Sequence, residues 1–183
     1  MKRYLRVIPL ALLLCFSFAC QDKAAMAELE KYRVQAAVEA RNIEIIKAAI
    51  AEVDKRNLEG FQAYVAPEFK LYAPSNSTTP VSRDDYMAMV KMMTTAIPDM
   101  VHNVTELLAV RDRVVLRVAI QGTHLAELGG IPPTGNKVSV SFIAIFRVKD
   151  GQVVEEIAEE DFLGLYQQLG MELKPAEAKK KSD

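Results

Sequence analysis

The apolar pattern of this chain changes at Pro98, and this change restricts the fold more than any other feature. Upstream of Pro98, apolar residues recur three and four positions apart, as on one side of an amphipathic helix. The clearest run contains Ile43, Ile46, Ile50 and Val53. The pattern predicts three helices: one from about Ala37 to Asn57, a short one with Asn57 as its N-cap, and one that begins at Ser82 and ends at Pro98.

Downstream of Pro98, apolar and polar residues alternate, as in half-buried strands. Four strands are predicted, at residues 101–110, 114–127, 137–148 and 152–161, after a shorter extended piece at 68–72. Short connections between neighbours favour antiparallel pairing. We therefore predict an α+β fold, a cone-shaped barrel in which a curved, mainly antiparallel sheet wraps the three N-terminal helices. The open end of such a cone is a natural place for a ligand cavity.

The last strand carries an unusual number of carboxylates. A regular pleat would place Val153, Glu155, Ile157, Glu159 and Asp161 on one face. If this face lines a pocket, burial and mutual repulsion would raise the pKa of at least one carboxyl toward the range useful for acid/base chemistry. If the strand lies at a sheet edge, the glutamates simply face water. The sequence leaves both interpretations open.

The N-terminus has the charge order of a secretory signal, with a basic start and an apolar run from Ile8 to Ala19. This run is too short for an ordinary membrane-spanning helix. It ends in Ser17-Phe18-Ala19-Cys20, which resembles the lipobox of bacterial lipoproteins. We predict a signal peptide at 1–19, lipidation of Cys20 and a partly helical tether at 20–36, with Gln21 favouring the outer membrane, facing the periplasm. A plain cleaved signal and an uncleaved anchor are the alternatives.

Composition argues against several classes of protein. The formal net charge is −1 and no basic stripe is present, so nucleic acid is not an expected partner. Both cysteines, Cys15 and Cys20, lie in the signal region, which excludes a disulfide, a thiol nucleophile and a cysteine metal site from the folded part. The lysine-rich segment 173–183 is predicted to be disordered, which leaves residues 37–172 as the single domain.

Five short runs carry a resemblance to a known family. They are Ile97-Pro98-Asp99, Asp112-Arg113-Val114-Val115, Gly122-Thr123-His124, Gly130-Ile131-Pro132-Pro133-Thr134-Gly135 and the run at 161–170. In this order they resemble the SnoaL-like polyketide cyclases, or ester cyclases, of the nuclear transport factor 2-like superfamily. The resemblance covers about residues 41–170. It implies the same cone-shaped fold and an intramolecular aldol closure of a polyketide ester, with no metal or organic cofactor.

The resemblance also implies site residues. Asp161 matches the acid/base Asp of the family, and His124 matches a pocket histidine that would hold an enolate oxygen or orient Asp161. Each has a structural alternative, Asp161 as a helix N-cap and His124 as a hydrogen-bonded residue at a strand end. His102 is assigned no role. The candidate substrate-binding residues are Tyr72, Met89, Met93, Ile157 and Glu159.

Two functions compete on this basis. The first is a membrane-anchored protein that binds a hydrophobic small molecule and transfers protons through Asp161 and His124. The second is a non-catalytic envelope lipoprotein that captures a ligand or forms a homodimer through its sheet. The methionine-rich third helix fits either, because methionine serves equally as a pliable ligand wall and as core filling. Convergence of Asp161 and His124 on one cavity would favour catalysis.

Overall fold

The computed structural model describes residues 8–174, with side chains from residue 23 onward. Residues 1–7 of the predicted signal peptide, residues 175–183 of the predicted tail and the Cys20 side chain lie outside the described part. The helices are α1 (Ile8–Asp54), α2 (Leu58–Gln62), α3 (Arg83–Ala96) and α4 (Phe162–Gln168). The strands are β1 (Val65–Tyr72), β2 (Val81–Ser82), β3 (Val101–Val110), β4 (Arg113–Thr123), β5 (Lys137–Lys149) and β6 (Gln152–Glu160).

All six strands form one curved, unclosed sheet in the order β2-β1-β6-β5-β4-β3. The four strands predicted after Pro98 form its larger part, a meander in which β3, β4, β5 and β6 each pair with their sequence neighbours in antiparallel fashion. Strand β1 joins the sheet beside β6 in parallel, which makes the sheet mixed. The α+β fold predicted from the change of pattern at Pro98 is confirmed.

Side-chain caps set the starts of the short helices. Ser82 Oγ accepts a hydrogen bond from the Asp85 backbone N–H at 3.2 Å, which confirms the predicted start of the third helix at Ser82. Asn57 caps α2 in the same way, since its Oδ1 accepts from the Gly60 N–H at 3.1 Å. These caps satisfy backbone donors that the first turn of a helix leaves unpaired. They fix where α2 and α3 enter the concave side of the sheet.

Helix α1 is longer than the sequence pattern indicated. It runs without a break through the predicted tether at 20–36, and its residues 23–38 are all exposed. Burial begins at Asn42, whose Nδ2 donates to the Arg111 carbonyl at 3.0 Å. Ile46, Ala49 and Val53 then enter the core. Within residues 8–174, no helix is both long enough and apolar enough to cross a membrane.

The core lies between the concave face of the sheet and the three helices that precede β3. The largest fully buried apolar side chains, each under 2% exposed, are Ile46, Val65, Leu71, Ile97, Val114, Leu116, Val118 and Leu165. Arg56, at φ 64°, turns the chain after α1, and its guanidinium donates to the carbonyls of Pro98 (2.8 Å) and Met100 (2.7 Å). The end of α1 is thereby fastened to the segment that leads into β3.

Candidate functional site

The interior of the sheet is not completely filled. A cavity of about 330 Å³ lies between the concave face and helices α1, α2 and α3. Most of its lining is apolar. Five residues that line it are polar and mostly buried: Tyr64, Tyr86, His102, Glu156 and Glu160. Met92, Phe162 and Tyr166 line it too but are about 40% exposed, so they mark its open end.

The glutamates of β6 that face this cavity are not those that the sequence pattern indicated. The prediction of a single regular pleat from Val153 to Asp161 is wrong. Arg147 of β5 pairs with Glu155, but the next residue, Val148, pairs with Val153. Val154 is therefore an extra residue in a β-bulge, and the alternation shifts by one position beyond it. Val153, Glu156 and Glu160 face the cavity, whereas Glu155 and Glu159 face the convex side.

Glu156 is the more deeply buried of the two cavity glutamates, at 3% exposure. Burial raises its pKa from the ordinary 4.5 to about 8, because the charged carboxylate loses its hydration. The Tyr86 hydroxyl faces this carboxyl and offsets part of the rise, while the charge of Glu160 adds to it. The Oε2 atom of Glu156 has no hydrogen-bond partner within the described part of the chain. At neutral pH the carboxyl is therefore mainly protonated and presents an unused polar atom.

Glu160 lies four residues further along the same strand, near the open end. Burial raises its pKa to about 7, so protonated and ionised forms coexist at neutral pH. Four residues of strand separate the two α-carbons by about 13 Å. The cavity thus carries two titratable carboxyls at different depths. Neither glutamate was predicted as a site residue, because both alternation patterns of β6 contain two glutamates.

A second polar group on the cavity wall is His102, and Asp54 contacts it from behind the lining. His102 is the second residue of β3, and its Nδ1 lies 2.6 Å from Oδ1 of Asp54, the last residue of α1. The side chains are 12% and 27% exposed. The helical spacing offered a signal for Asp54, because it lies four residues after Ile50 on the buried side of α1. Within residues 23–174, no group of three or more His, Cys, Asp or Glu side chains is placed to hold a metal ion.

A family model described as SnoaL-like polyketide cyclase matches residues 44–169. This span contains every residue that lines the cavity, from Ile46 to Tyr166. The chain belongs to the SnoaL-like polyketide cyclase family.

Relatives of known sequence or structure agree with membership in the SnoaL-like family. The aklanonic acid methyl ester cyclase of Streptomyces peucetius is 37% identical over 54 residues, which cover 30% of this chain and little more than a third (37%) of that enzyme. AclR of Streptomyces galilaeus, whose proposed activity is hydroxylation, superposes with a TM-score of 0.67 and 28% identity over 72% of this chain and 97% of AclR. IdmH of Streptomyces antibioticus, a proposed polyketide cyclase, superposes with a TM-score of 0.61 and 26% identity, over 71% of this chain and 99% of IdmH.

The two catalytic residues suggested by the SnoaL-like resemblance lie outside the cavity. Asp161 is exposed and caps α4, since its Oδ1 accepts from the Gly164 N–H at 2.8 Å. His124 is fully buried, and its Nδ1 accepts from the Thr134 N–H at 3.2 Å, which holds the loop between β4 and β5. The structure does not bring these two side chains together, and both adopt the structural alternatives. Their catalytic roles remain predictions.

The candidate substrate-binding residues divide into two groups. Met89 and Met93 of α3 line the cavity of this SnoaL-like protein. Tyr72, Ile157 and Glu159 do not: Tyr72 pairs with Ile157 across β1 and β6, and Glu159 Oε1 accepts from the Ser75 N–H at 2.9 Å. The shift at Val154 explains the placement of Ile157 and Glu159. Only the two methionines are positioned to contact a ligand in the cavity.

Proposed function

We propose that this SnoaL-like protein performs cofactor-free acid/base chemistry on a hydrophobic carbonyl compound, with Glu156 as the acid. The observation that supports this proposal best is the placement of Glu156, a buried carboxyl on the wall of a largely apolar cavity with Oε2 unpaired. An unpaired polar group in such surroundings costs about 1–3 kcal/mol of stability. A ligand group that pairs with it removes this cost.

The chemistry follows from the protonation state of Glu156. Because its pKa is about 8, the carboxyl holds a proton at neutral pH and can donate it to a carbonyl oxygen as negative charge develops there. The apolar lining strengthens this interaction by excluding water. A carbonyl under attack by an enolate carbon within the same molecule is the acceptor that fits this arrangement, and the product is a closed ring. The cavity volume, about 330 Å³, is at the lower end of the range for small-molecule sites.

Aklanonic acid methyl ester, the compound in the name of the Streptomyces peucetius relative, is the first probe for this activity. The experiment uses the full chain in detergent and follows ring closure by chromatography. We expect turnover by the wild type, and a kcat at least about 100-fold lower for Glu156→Gln with the dissociation constant nearly unchanged. Glu155→Gln is the matched control, because it changes the adjacent glutamate on the convex face and is expected to retain activity.

A non-catalytic binding protein is the second candidate function. It is favoured by the methionines of α3 on the cavity wall, since thioethers adapt to ligands of irregular shape. If the wild type binds the probe at micromolar concentrations but neither closes it nor exchanges its acidic protons, ligand capture replaces catalysis as the function. Mass spectrometry of molecules that copurify with the protein would then identify the class of ligand.

The proposed cellular setting is the bacterial envelope, with the chain lipidated at Cys20 on the outer membrane and facing the periplasm. The support is the signal pattern of residues 1–19 and the lipobox-like Ser17-Phe18-Ala19-Cys20. Helix α1 would then separate the lipid from the domain. Mass spectrometry of the mature N-terminus tests this proposal: a diacylglyceryl group on Cys20 is expected, and an unmodified cysteine or a different first residue would refute it.

A further inference from the structure

Among the described residues that line the cavity, His102 carries the only imidazole. Asp54 contacts it twice: Oδ1 lies 2.6 Å from Nδ1 of the ring, and Oδ2 accepts from the His102 backbone N–H at 3.4 Å. Both groups are mostly shielded from water. Asp54 therefore fixes both the position and the rotation of the imidazole.

The contact with Asp54 also determines which ring nitrogen is a base. An ionised carboxylate only accepts hydrogen bonds, so Nδ1 of a neutral His102 must carry the proton that it donates to Oδ1. The lone pair is then on Nε2, the nitrogen that Asp54 does not contact. A neutral imidazole held in this way is the usual arrangement of a histidine general base.

The surrounding backbone holds Asp54 firmly. Asp54 ends α1, and Arg56 two residues later donates to the carbonyls of Asp54 (3.0 Å), Pro98 and Met100. The last two carbonyls belong to the segment that leads into β3, four and two residues before His102. The guanidinium of Arg56 thus connects the end of α1 to the start of β3 by hydrogen bonds. Such support keeps a reacting group within the narrow geometry that catalysis needs.

We propose that His102, oriented by Asp54, is the base of the proposed reaction and removes a proton from the substrate carbon next to a carbonyl. This inference rests on the proposed function. His102 is on β3 and Glu156 on β6, three strand spacings apart, or about 14 Å along the curved sheet. Both side chains line the same cavity on the concave face, so base and acid can reach neighbouring groups of one bound molecule from opposite walls.

The proposed step is balanced as follows. His102 Nε2 takes a proton from carbon, and the C–H electron pair becomes the π bond of an enolate. The enolate carbon attacks a second carbonyl carbon, a C–C bond forms, and the carbonyl π pair moves to its oxygen. That oxygen takes the proton of Glu156. A proton then passes from His102 to Glu156 through water, so the substrate is isomerised to a ring and the protein is unchanged.

Glu160 is the rival base, because its carboxyl lines the same cavity and is partly ionised at neutral pH. The experiment therefore compares five variants: the single changes His102→Gln, Asp54→Asn, Glu160→Gln and Glu156→Gln, and the double variant that combines His102→Gln with Asp54→Asn. Each full chain is mixed in D₂O with an aromatic β-keto ester, and proton NMR follows loss of the acidic C–H signal. Probe affinity is measured by fluorescence titration, and folding by circular dichroism.

We expect His102→Gln to slow exchange at least about 100-fold while the affinity stays within about twofold. Asp54→Asn should slow it about 10-fold and change the ¹⁵N shifts of the His102 ring, as expected for a positioning residue. The double variant should be no slower than His102→Gln alone, because both act through one imidazole. Glu156→Gln should retain exchange while it loses ring closure.

The failures can be told apart. Exchange that persists in folded His102→Gln, or that is lost in Glu160→Gln, overturns the assignment of His102 and leaves the proposed function standing. A wild type that binds the keto ester without exchange or closure overturns both. An unchanged ¹⁵N spectrum in Asp54→Asn overturns the role of Asp54 as a positioning residue.

Discussion

The two faces of strand β6 carry the same residue type in different chemical states. On the convex face, Glu155 lies 3.4 Å from Nε of Arg147 and 3.9 Å from Nη1 of Arg113, and hydrogen bonds from Ser75 lower the pKa of Glu159. On the concave face, burial raises the pKa of Glu156 and Glu160. The pKa shift of Glu159 is therefore opposite in direction to the shifts of Glu156 and Glu160, because their partners and their hydration differ. The extra residue Val154 determines which glutamates belong to which face.

The largest expected effect on stability comes from exchanging the residues that the end of β6 places on its concave and convex faces. Insertion of one alanine between Glu155 and Glu156 turns Glu156, Ala158 and Glu160 outward and brings Glu159 inward. We expect a loss on the order of 5 kcal/mol in unfolding free energy, or failure to fold, because the fully buried Ala158 leaves the core and the carboxylate of Glu159 enters it. Thermal unfolding measures the effect.

Deletion of Val154 is the matched control for the insertion. Removing the extra residue leaves Val153 and Glu156 on the concave face, because the remaining positions alternate regularly. The expected cost is about 2 kcal/mol, from the loss of a buried valine. A deletion variant less stable than the insertion variant would contradict the conclusion that the bulge assigns the glutamates to their faces.

The second prediction concerns stability as a function of pH. The folded-state pKa of Glu156 is raised, so its contribution to stability is fully present below about 4.5 and is lost as the pH rises to about 8. Glu156→Gln removes this loss. Relative to the wild type, the variant should gain on the order of 4 kcal/mol between pH 4.5 and 8. Urea unfolding across this range measures the gain, and a difference independent of pH would show that Glu156 is not a buried acid.

A third, smaller effect distinguishes capping from catalysis at Asp161, where the chain leaves β6. Asp161→Ala removes the hydrogen bond to the Gly164 N–H and should cost about 1 kcal/mol. Asp161→Ser keeps a capping oxygen without a carboxyl, so its stability should be close to that of the wild type. Thermal unfolding and ring closure are measured on both variants. Full stability with lost turnover in Asp161→Ser would instead support the catalytic role predicted from the family resemblance.

The smallest effect is expected on the convex face. The lowered pKa of Glu159 means that its contribution to stability is present above about 4.5 and is lost as the pH falls. Glu159→Gln should lower the melting temperature by about 1–2 °C at most at pH 7, and by less at pH 3. A pH dependence with the sign expected for Glu156 would remove the contrast between the faces.

The sequence predicted the fold much better than the site, for reasons visible in β6. Helical spacing and strand alternation are repeated signals, so the elements before and after Pro98 and the meander were predictable. A β-bulge is one irregular position, so it produces no repeated pattern in the sequence. Both alternation patterns beyond Val153 carry two glutamates, so hydrophobic periodicity could not locate the extra residue. Asp54 and His102 are 48 residues apart, and their pairing depends on the turn at Arg56, whose side chain binds the segment before β3.

The length of helix α1 sets the distance between Cys20 and the domain. From Cys20 to Asn42, where burial begins, the helix rises about 33 Å at 1.5 Å per residue, whereas a flexible chain of this length would have an average span of about 26 Å and no fixed direction. The helix therefore holds the domain at a fixed distance from Cys20 and in a fixed rotation about the helix axis. Removal of seven exposed residues shortens it by about 10 Å with almost no rotation, whereas removal of five turns the domain by about 140° about the helix axis.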